Sequence, residues 1–306
     1  MINNIIASSV SIMPKWFIKL FSKSYIAGHE PKEVIDIVKN LNTQGFSATI
    51  DILGEHINSQ EKTFSVTKEY IQLYDDIAKN SVDSNISVKP THIGLDISMN
   101  LVLENFKKLI IKASESSNFL RIDMESSKNT DSTFEIYKYL HKTYPKVGVV
   151  LQAYLKRSIA DIEKLASPDF NARICKGIYK EDKNIAYQNP EDISKNFLAM
   201  AKVMLAKNSY ACYATHDLQL IDDLVSLTKE TCLDTLRTAL VAPTNIFSSA
   251  GASSSAGASS AGASSAGTSS ACASSAGASS AGASSSATSS AGASSATSSI
   301  AASASS

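Results

Sequence analysis

Between residues 47 and 217, short apolar runs alternate with stretches in which apolar residues recur every three or four positions. The runs are SATIDILGE (47–55), NISVKPTHIGL (85–95), FLRIDMES (119–126), VGVVLQAY (147–154), NARICKGIY (171–179) and YACYATHD (210–217). The intervening stripes include Val34, Val38 and Leu41; Tyr70, Leu73, Tyr74 and Ile77; and Val102, Phe106, Leu109 and Ala113. A period near 3.6 marks amphipathic helices, and β-rich runs bounded by them mark strands. Six strands alternating with helices predict parallel pairing, because each crossover returns the chain to the same end of the sheet. Polar groups collect at or near the C-terminal end of each run: Glu55, Lys89, Asp123 with Glu125, Gln152 with Tyr154, Lys176 with Tyr179, and Thr215 with His216. Barrel enzymes of the (β/α)8 type carry their active sites at that end. The pattern therefore predicts an α/β fold of the TIM-like (β/α)8 type, incomplete after six βα units. No GxGxxG follows the first run, which argues against a Rossmann dinucleotide site.

Composition divides the chain. Its 306 residues carry 29 basic and 29 acidic side chains, a balance that argues against nucleic-acid binding through a general basic field. All of that charge lies before Ser248; from Ser248 to Ser306 there is no Lys, Arg, Asp, Glu or His. Three segments follow: 1–30, an N-terminal helical lid; 31–247, the barrel; and 248–306, a Ser/Ala/Gly-rich low-complexity tail. In the first, Trp16, Phe17, Leu20, Phe21 and Tyr25 interleave with Lys15, Lys19 and Lys23, which suits a helix packed on the domain or one lying on an anionic membrane face. That N-terminal segment has no charged leader and no uncharged run of membrane-spanning length, so the expected location is cytoplasmic, with peripheral contact at the inner face of the membrane as the variant. The tail repeats SSAGA loosely and buries too little apolar area to offset its ordering entropy, so the expectation is disorder and little contribution to stability. Out-of-frame translation is a second explanation of such a tail. Cys175, Cys212, Cys232 and Cys272 show no CxxC spacing, which points to free thiols and away from a metal site.

Alternation places Arg121, Asp123 and Glu125 on one face of their strand, and Arg173, Cys175 and Gly177 on one face of theirs. Facing into a barrel, Asp123 and Arg173 would form an ion pair, either as part of a reactive centre or only as a brace between strands. Lys89, where the chain leaves its strand before Pro90, suits an anionic substrate group or an ordinary surface position. Gly177 leaves the backbone bare beside Lys176, as a ligand approach or a bulge requires. His216 is a lone histidine, open to a hydrogen-bonding or a catalytic reading.

Taken in order, DILGE, SVKPTHIGL, RIDMES, LQAYLKRS, RICKGIYKE and ATHD resemble the proline dehydrogenase family from about Met13 to Glu230. The LQAYLKR and R-x-x-KG-x-Y blocks are the most specific. The resemblance implies an FAD-dependent oxidoreductase that converts L-proline to Δ1-pyrroline-5-carboxylate and passes electrons to a quinone. It implies that Lys89 contacts substrate, that Asp123 and Arg173 are catalytic, and that Met124, Gln152, Lys176, Gly177, Ile178, Thr215 and His216 contact the flavin. It also calls for two further strands and a last helix with an arginine pair of the type YLxxRRxxEN; here the chain reads TCLDTLRTALVAPTNIF, and only Arg237 follows Arg173. Two other readings stand beside the enzyme: a flavin-binding remnant, impaired by this C-terminal departure, and a flavin-free lyase using Lys89 or Lys176 as a Schiff-base amine.

Overall fold

The structure is a computed structural model that describes residues 27, 28, 30–230, 238–243 and 298–302. The lid segment and most of the tail lie outside the described residues. Helix α1 (Pro31–Thr43) precedes strand β1 (Phe46–Asp51). Then follow α2 (Gln60–Asn80), β2 (Ser84–Val88), α3 (Met99–Glu115), β3 (Leu120–Ile122), α4 (Thr130–His141), β4 (Val147–Gln152), α5 (Ser158–Leu165) and β5 (Asn171–Cys175). The series ends with α6 (Pro190–Ala206), β6 (Tyr210–Ala214), α7 (Leu218–Glu230), β7 (Thr238–Pro243) and β8 (Ser298–Ala302). Short 3-10 turns at Pro90–Ile93 and Ser127–Asn129 follow β2 and β3.

Strands β1 to β6 form the curled parallel wall that the sequence predicts, each followed by its helix. The helix starts obey local chemistry. Ser59 and Ser98 cap α2 and α3 through their hydroxyls, and Asn189 caps α6 ahead of Pro190, which supplies a preset φ and needs no donor there. The stripes read from the sequence face the wall: Val38, Tyr70, Val102, Phe106 and Leu109 are fully buried, as are Leu140, Ile162 and Phe197 of the later helices, against Ile86, Leu120, Ile122, Val149 and Ile174 of the strands.

The six βα units form the curled half-barrel that the sequence predicts, and short strands pair at its two edges, β1 and β6. β6 runs parallel to β7 through Ala211↔Thr238 to Ala214↔Val241, and β8 runs parallel to both β7 and β1, closing the ring. β8 comes from the low-complexity tail, so at Ser298–Ala302 that tail is a strand. Edge backbone groups demand partners whatever the side chains beside them, and this demand is what composition does not register.

Candidate active site

Contacts between strands that are not neighbours run through the barrel interior and show which faces point there. Arg173 on β5 reaches Ser87 on β2 and Asp123 just past β3, at 3.4 and 2.5 Å. Arg121 on β3 reaches the Asn171 carbonyl on β5 and Sγ of Cys212 on β6, at 3.4 and 3.6 Å. With a period of two along each strand, the interior is polar and layered.

The deeper layer centres on Arg121, which is 5% exposed. Its guanidinium donates to the carbonyls of Val149 and Asn171 and lies over the Phe119 ring, 4.8 Å from the centroid. Burial lowers its pKa from the ordinary arginine value.

The upper layer, at the C-terminal strand ends, holds two ion pairs. Lys89 Nζ lies 2.9 Å from Asp51 Oδ2, and Arg173 Nη2 lies 2.5 Å from Asp123 Oδ1. Ser87 bonds both members of the second pair, donating to Asp123 and accepting from Arg173. Burial disfavours the Asp123 anion, but Arg173, Lys89 and the Ser87 hydroxyl outweigh it and hold this carboxyl below the usual range. Asp51 goes the other way. Its side chain is 2% exposed, and burial, helped by the charge of Asp123, pushes its pKa up to about 6 against the pull of Lys89. Burial also works against the Lys89 cation, yet Asp51, Asp123 and Glu125 raise its pKa overall. From α2, outside the wall, the fully buried Tyr70 donates its hydroxyl to Asp51 Oδ1 at 3.1 Å and stands 3.5 Å from Nδ1 of His92. Glu125 is sealed below the surface by the backbone N–H and hydroxyl of Thr91. At the rim, Tyr179 donates to Glu55 at 3.1 Å.

The structure thus brings Lys89, Asp123 and Arg173 together. The other candidates sit on the adjoining ends of β3 to β6. Gln152 donates to the carbonyl oxygens of Met124 and Glu125, at 2.9 and 3.2 Å. Both its amide hydrogens are committed there, and its Oε1 is buried without a partner among the described residues. Lys176 pairs with Asp217 at 2.6 Å, Thr215 accepts from the Asp217 N–H at 3.2 Å, Ile178 is 57% exposed, and His216 is exposed. Gly177 has φ +107°, and a Cβ there would overlap the Tyr154 ring; only glycine suits that position. A sealed acceptor that lacks a donor and a bare turn of backbone fit a heterocyclic ligand bearing an N–H group.

Sequence reasoning missed Asp51, Tyr70 and Ser87. Asp51 is the last residue of β1, inside a run that reads on apolar to Leu53. Ser87 alternates with Lys89 and was legible as its partner on the same face. Tyr70 looks like a core position of its helix, and nothing in the sequence announces its hydroxyl.

The fold and the site define a (β/α) barrel enzyme with paired opposite charges at the C-terminal mouth. A model of the family described as proline dehydrogenase matches residues 34–240. Proline dehydrogenase 2 of Bacillus subtilis (strain 168) is 37% identical over 215 residues, covering 70% of this chain and 71% of the relative. Proline dehydrogenase of Deinococcus radiodurans is 31% identical over 208 residues, 66% of this chain and 67% of the relative. Among solved structures, proline utilization A from Bdellovibrio bacteriovorus inactivated by N-propargylglycine superposes with a TM-score of 0.66 at 20% identity, over 72% of this chain. This chain spans 28% of the length of that protein, and the likeness at that identity concerns the fold. The chain belongs to the proline dehydrogenase family.

Proposed function

We propose that the protein oxidises L-proline to Δ1-pyrroline-5-carboxylate with bound FAD, and that a quinone takes the electrons onward. One observation carries this reading: in a chain of this family, the Lys89 ammonium stands at the barrel mouth, 21% exposed, beside the Arg173–Asp123 pair. FAD, when bound, supplies the acceptor for the hydride that leaves the ring carbon next to the proline nitrogen. Lys89 would hold the substrate carboxylate, and walls poor in water make its point charge count for more than it would in bulk. Arg173 would present a fixed cation beside the cofactor, with Asp123 orienting it. Gln152 would accept an N–H through its unpartnered Oε1. Met124, the Lys176–Gly177–Ile178 turn, Thr215 and His216 would line the same ligand. A quinone acceptor accords with the peripheral membrane contact suggested by Lys15–Tyr25, a stretch outside the described residues; among those described, no helix is long and apolar enough to cross a membrane.

The test is dye-coupled oxidation of L-proline by the full chain with its flavin content measured. Saturable turnover that Lys89→Met abolishes is the expected result; turnover indifferent to Lys89→Met would sink the assignment.

A flavin-binding remnant is the second reading, and a specific feature favours it: the 306 residues contain no adjacent arginine pair. Two missing charge-assisted bonds, at about 1.5–3 kcal/mol each, would weaken carboxylate binding by roughly two to four powers of ten. Flavin retention without saturation by proline would select the remnant.

A further inference from the structure

The two cations of the upper layer are already paired. Lys89 and Arg173 face Asp51 and Asp123, so the cation proposed to hold a substrate carboxylate is occupied by an internal carboxylate. A carboxylate arriving at Lys89 must share the ammonium with Asp51, and two anions within reach of one half-buried cation, one of them sealed from water, cannot both stay charged cheaply. Accepting the proposed role of Lys89, we infer that Asp51 is its positioning residue and takes up a proton from solvent when a substrate carboxylate binds to Lys89.

The geometry supplies what this needs. The Asp51 side chain is 2% exposed, so its charge is sustained by Lys89 at 2.9 Å and the Tyr70 hydroxyl at 3.1 Å rather than by water. Lys89 itself is 21% exposed and opens toward solvent. The groups that face this pair are Asp123, with Arg173 bound to it, from β3 and β5; Glu125, which acts on Lys89; and Tyr70 with His92 and Glu55 behind it, from α2 and the turns after β2 and β1. The neighbouring strand β8 reads SSIAA and has no titratable side chain. With Asp51 titrating at about 6 before binding, a second anion raises it further, into the neutral range.

The sign follows. Below pH 6, Asp51 is protonated already and carboxylate affinity is level. Above it, binding must draw in a proton, so affinity falls as pH rises, toward tenfold per unit. Tyr70 stabilises the Asp51 anion, so Tyr70→Phe lets Asp51 hold its proton to higher pH and moves the onset upward.

Isothermal titration of the full chain with cyclopentanecarboxylate, a ring carboxylate with no amine of its own to exchange protons, tests this. Runs at pH 6, 7 and 8 in buffers of different ionisation enthalpy count the protons. The inference expects uptake approaching one proton per carboxylate at pH 7–8, none in Asp51→Asn, tighter binding by Asp51→Asn than by wild type at pH 8, and an upward-shifted onset in Tyr70→Phe. If Asp51→Asn does not fold, the wild-type proton count and the Tyr70→Phe shift decide. Binding that Lys89→Met abolishes, but without proton uptake, overturns this inference and leaves the proposed function standing. Binding untouched by Lys89→Met overturns both.

Discussion

A Cβ placed on Gly148 would stand 2.6 Å from Nη1 of Arg121. The buried arginine of the lower layer therefore has its room because β4 carries no side chain there. The same added carbon would meet the Asn171 carbonyl and the Phe119 ring at 2.6 Å. A side-chain end can swing away, but the backbone of β5, paired in register with β4, cannot. Gly148→Ala is expected to destabilise the fold by about 1–3 kcal/mol through overpacking. Urea unfolding midpoints of variant and wild type would show it; an unchanged midpoint would mean that β4 and β5 part more easily than their pairing implies.

His92 and Asp51 pull the pH dependence of stability in opposite directions. His92 is buried, and desolvation first, then the Lys89 charge, lowers its pKa to about 4. Between pH 4 and 6.5 the unfolded chain binds this proton and the folded one does not, so this contribution to stability rises with pH. Asp51, raised to about 6, binds its proton in the folded state only, so its contribution falls as pH climbs from 3.8 to 6. The two slopes are each about 1.4 kcal/mol per unit, and they nearly cancel. In His92→Gln the rising part is gone. Relative to that variant, wild-type stability should climb by about 2–3 kcal/mol from pH 4 to 6.5, measured by urea unfolding across the range. Parallel profiles would place the His92 proton elsewhere.

Gly177→Ala combines a left-handed backbone with an overlap against Tyr154. The turn must move, and it takes the Lys176 and Ile178 backbone with it. The expected result is loss of flavin during desalting, with a fall of a few degrees in the unfolding midpoint. Tyr154→Ala in the same chain removes the overlap and should recover part of both. Full flavin retention in Gly177→Ala alone would take this turn out of the cofactor site.

Deleting residues 248–306 tests the closing strand. Composition says that the tail adds little, since Ser, Ala and Gly bury little apolar area. The pairing says otherwise: β8 satisfies backbone groups on β1 over Phe46 to Ile50 and on β7 over Val241 to Pro243. Without it both edges are bare, and bare parallel edges invite association. Light scattering should detect self-association of the truncated chain, together with a lower unfolding midpoint. A monomer with an unaltered midpoint would bear out the expectation drawn from composition.

The wall of six βα units was legible because parallel strands and amphipathic helices write different periods into the chain. Strand ends were less so. The run 85–95 reads as one strand, but β2 stops at Val88 and the chain turns through Pro90–Ile93, whose residues are buried as deeply as a strand's. The same continuation hid Asp51. Apolar residues run on past the end of β1 toward Glu55, which the structure places at the exposed rim. Lys89, Asp123 and Arg173 were legible as strand-end charges, while their pairing with Asp51 and Ser87 depends on how far round the barrel each strand lies. β8 could not be read at all, because its residues carry no period.

Every group in the ionic centre, from Asp51 through Tyr70, Ser87, Lys89, His92 and Asp123 to Arg173, is encoded in residues 51–173. Among the described residues, the last third of the chain supplies β6, β7 and β8 to the ring. The chain is thus divided between a stretch that carries the two ion pairs and a stretch that completes the wall around them. Insertions, recombination or a change of reading frame downstream would alter the enclosure while leaving the inherited centre intact. A lineage could therefore exchange its far wall, and with it the shape of the ligand admitted, without reinventing the charges that meet it.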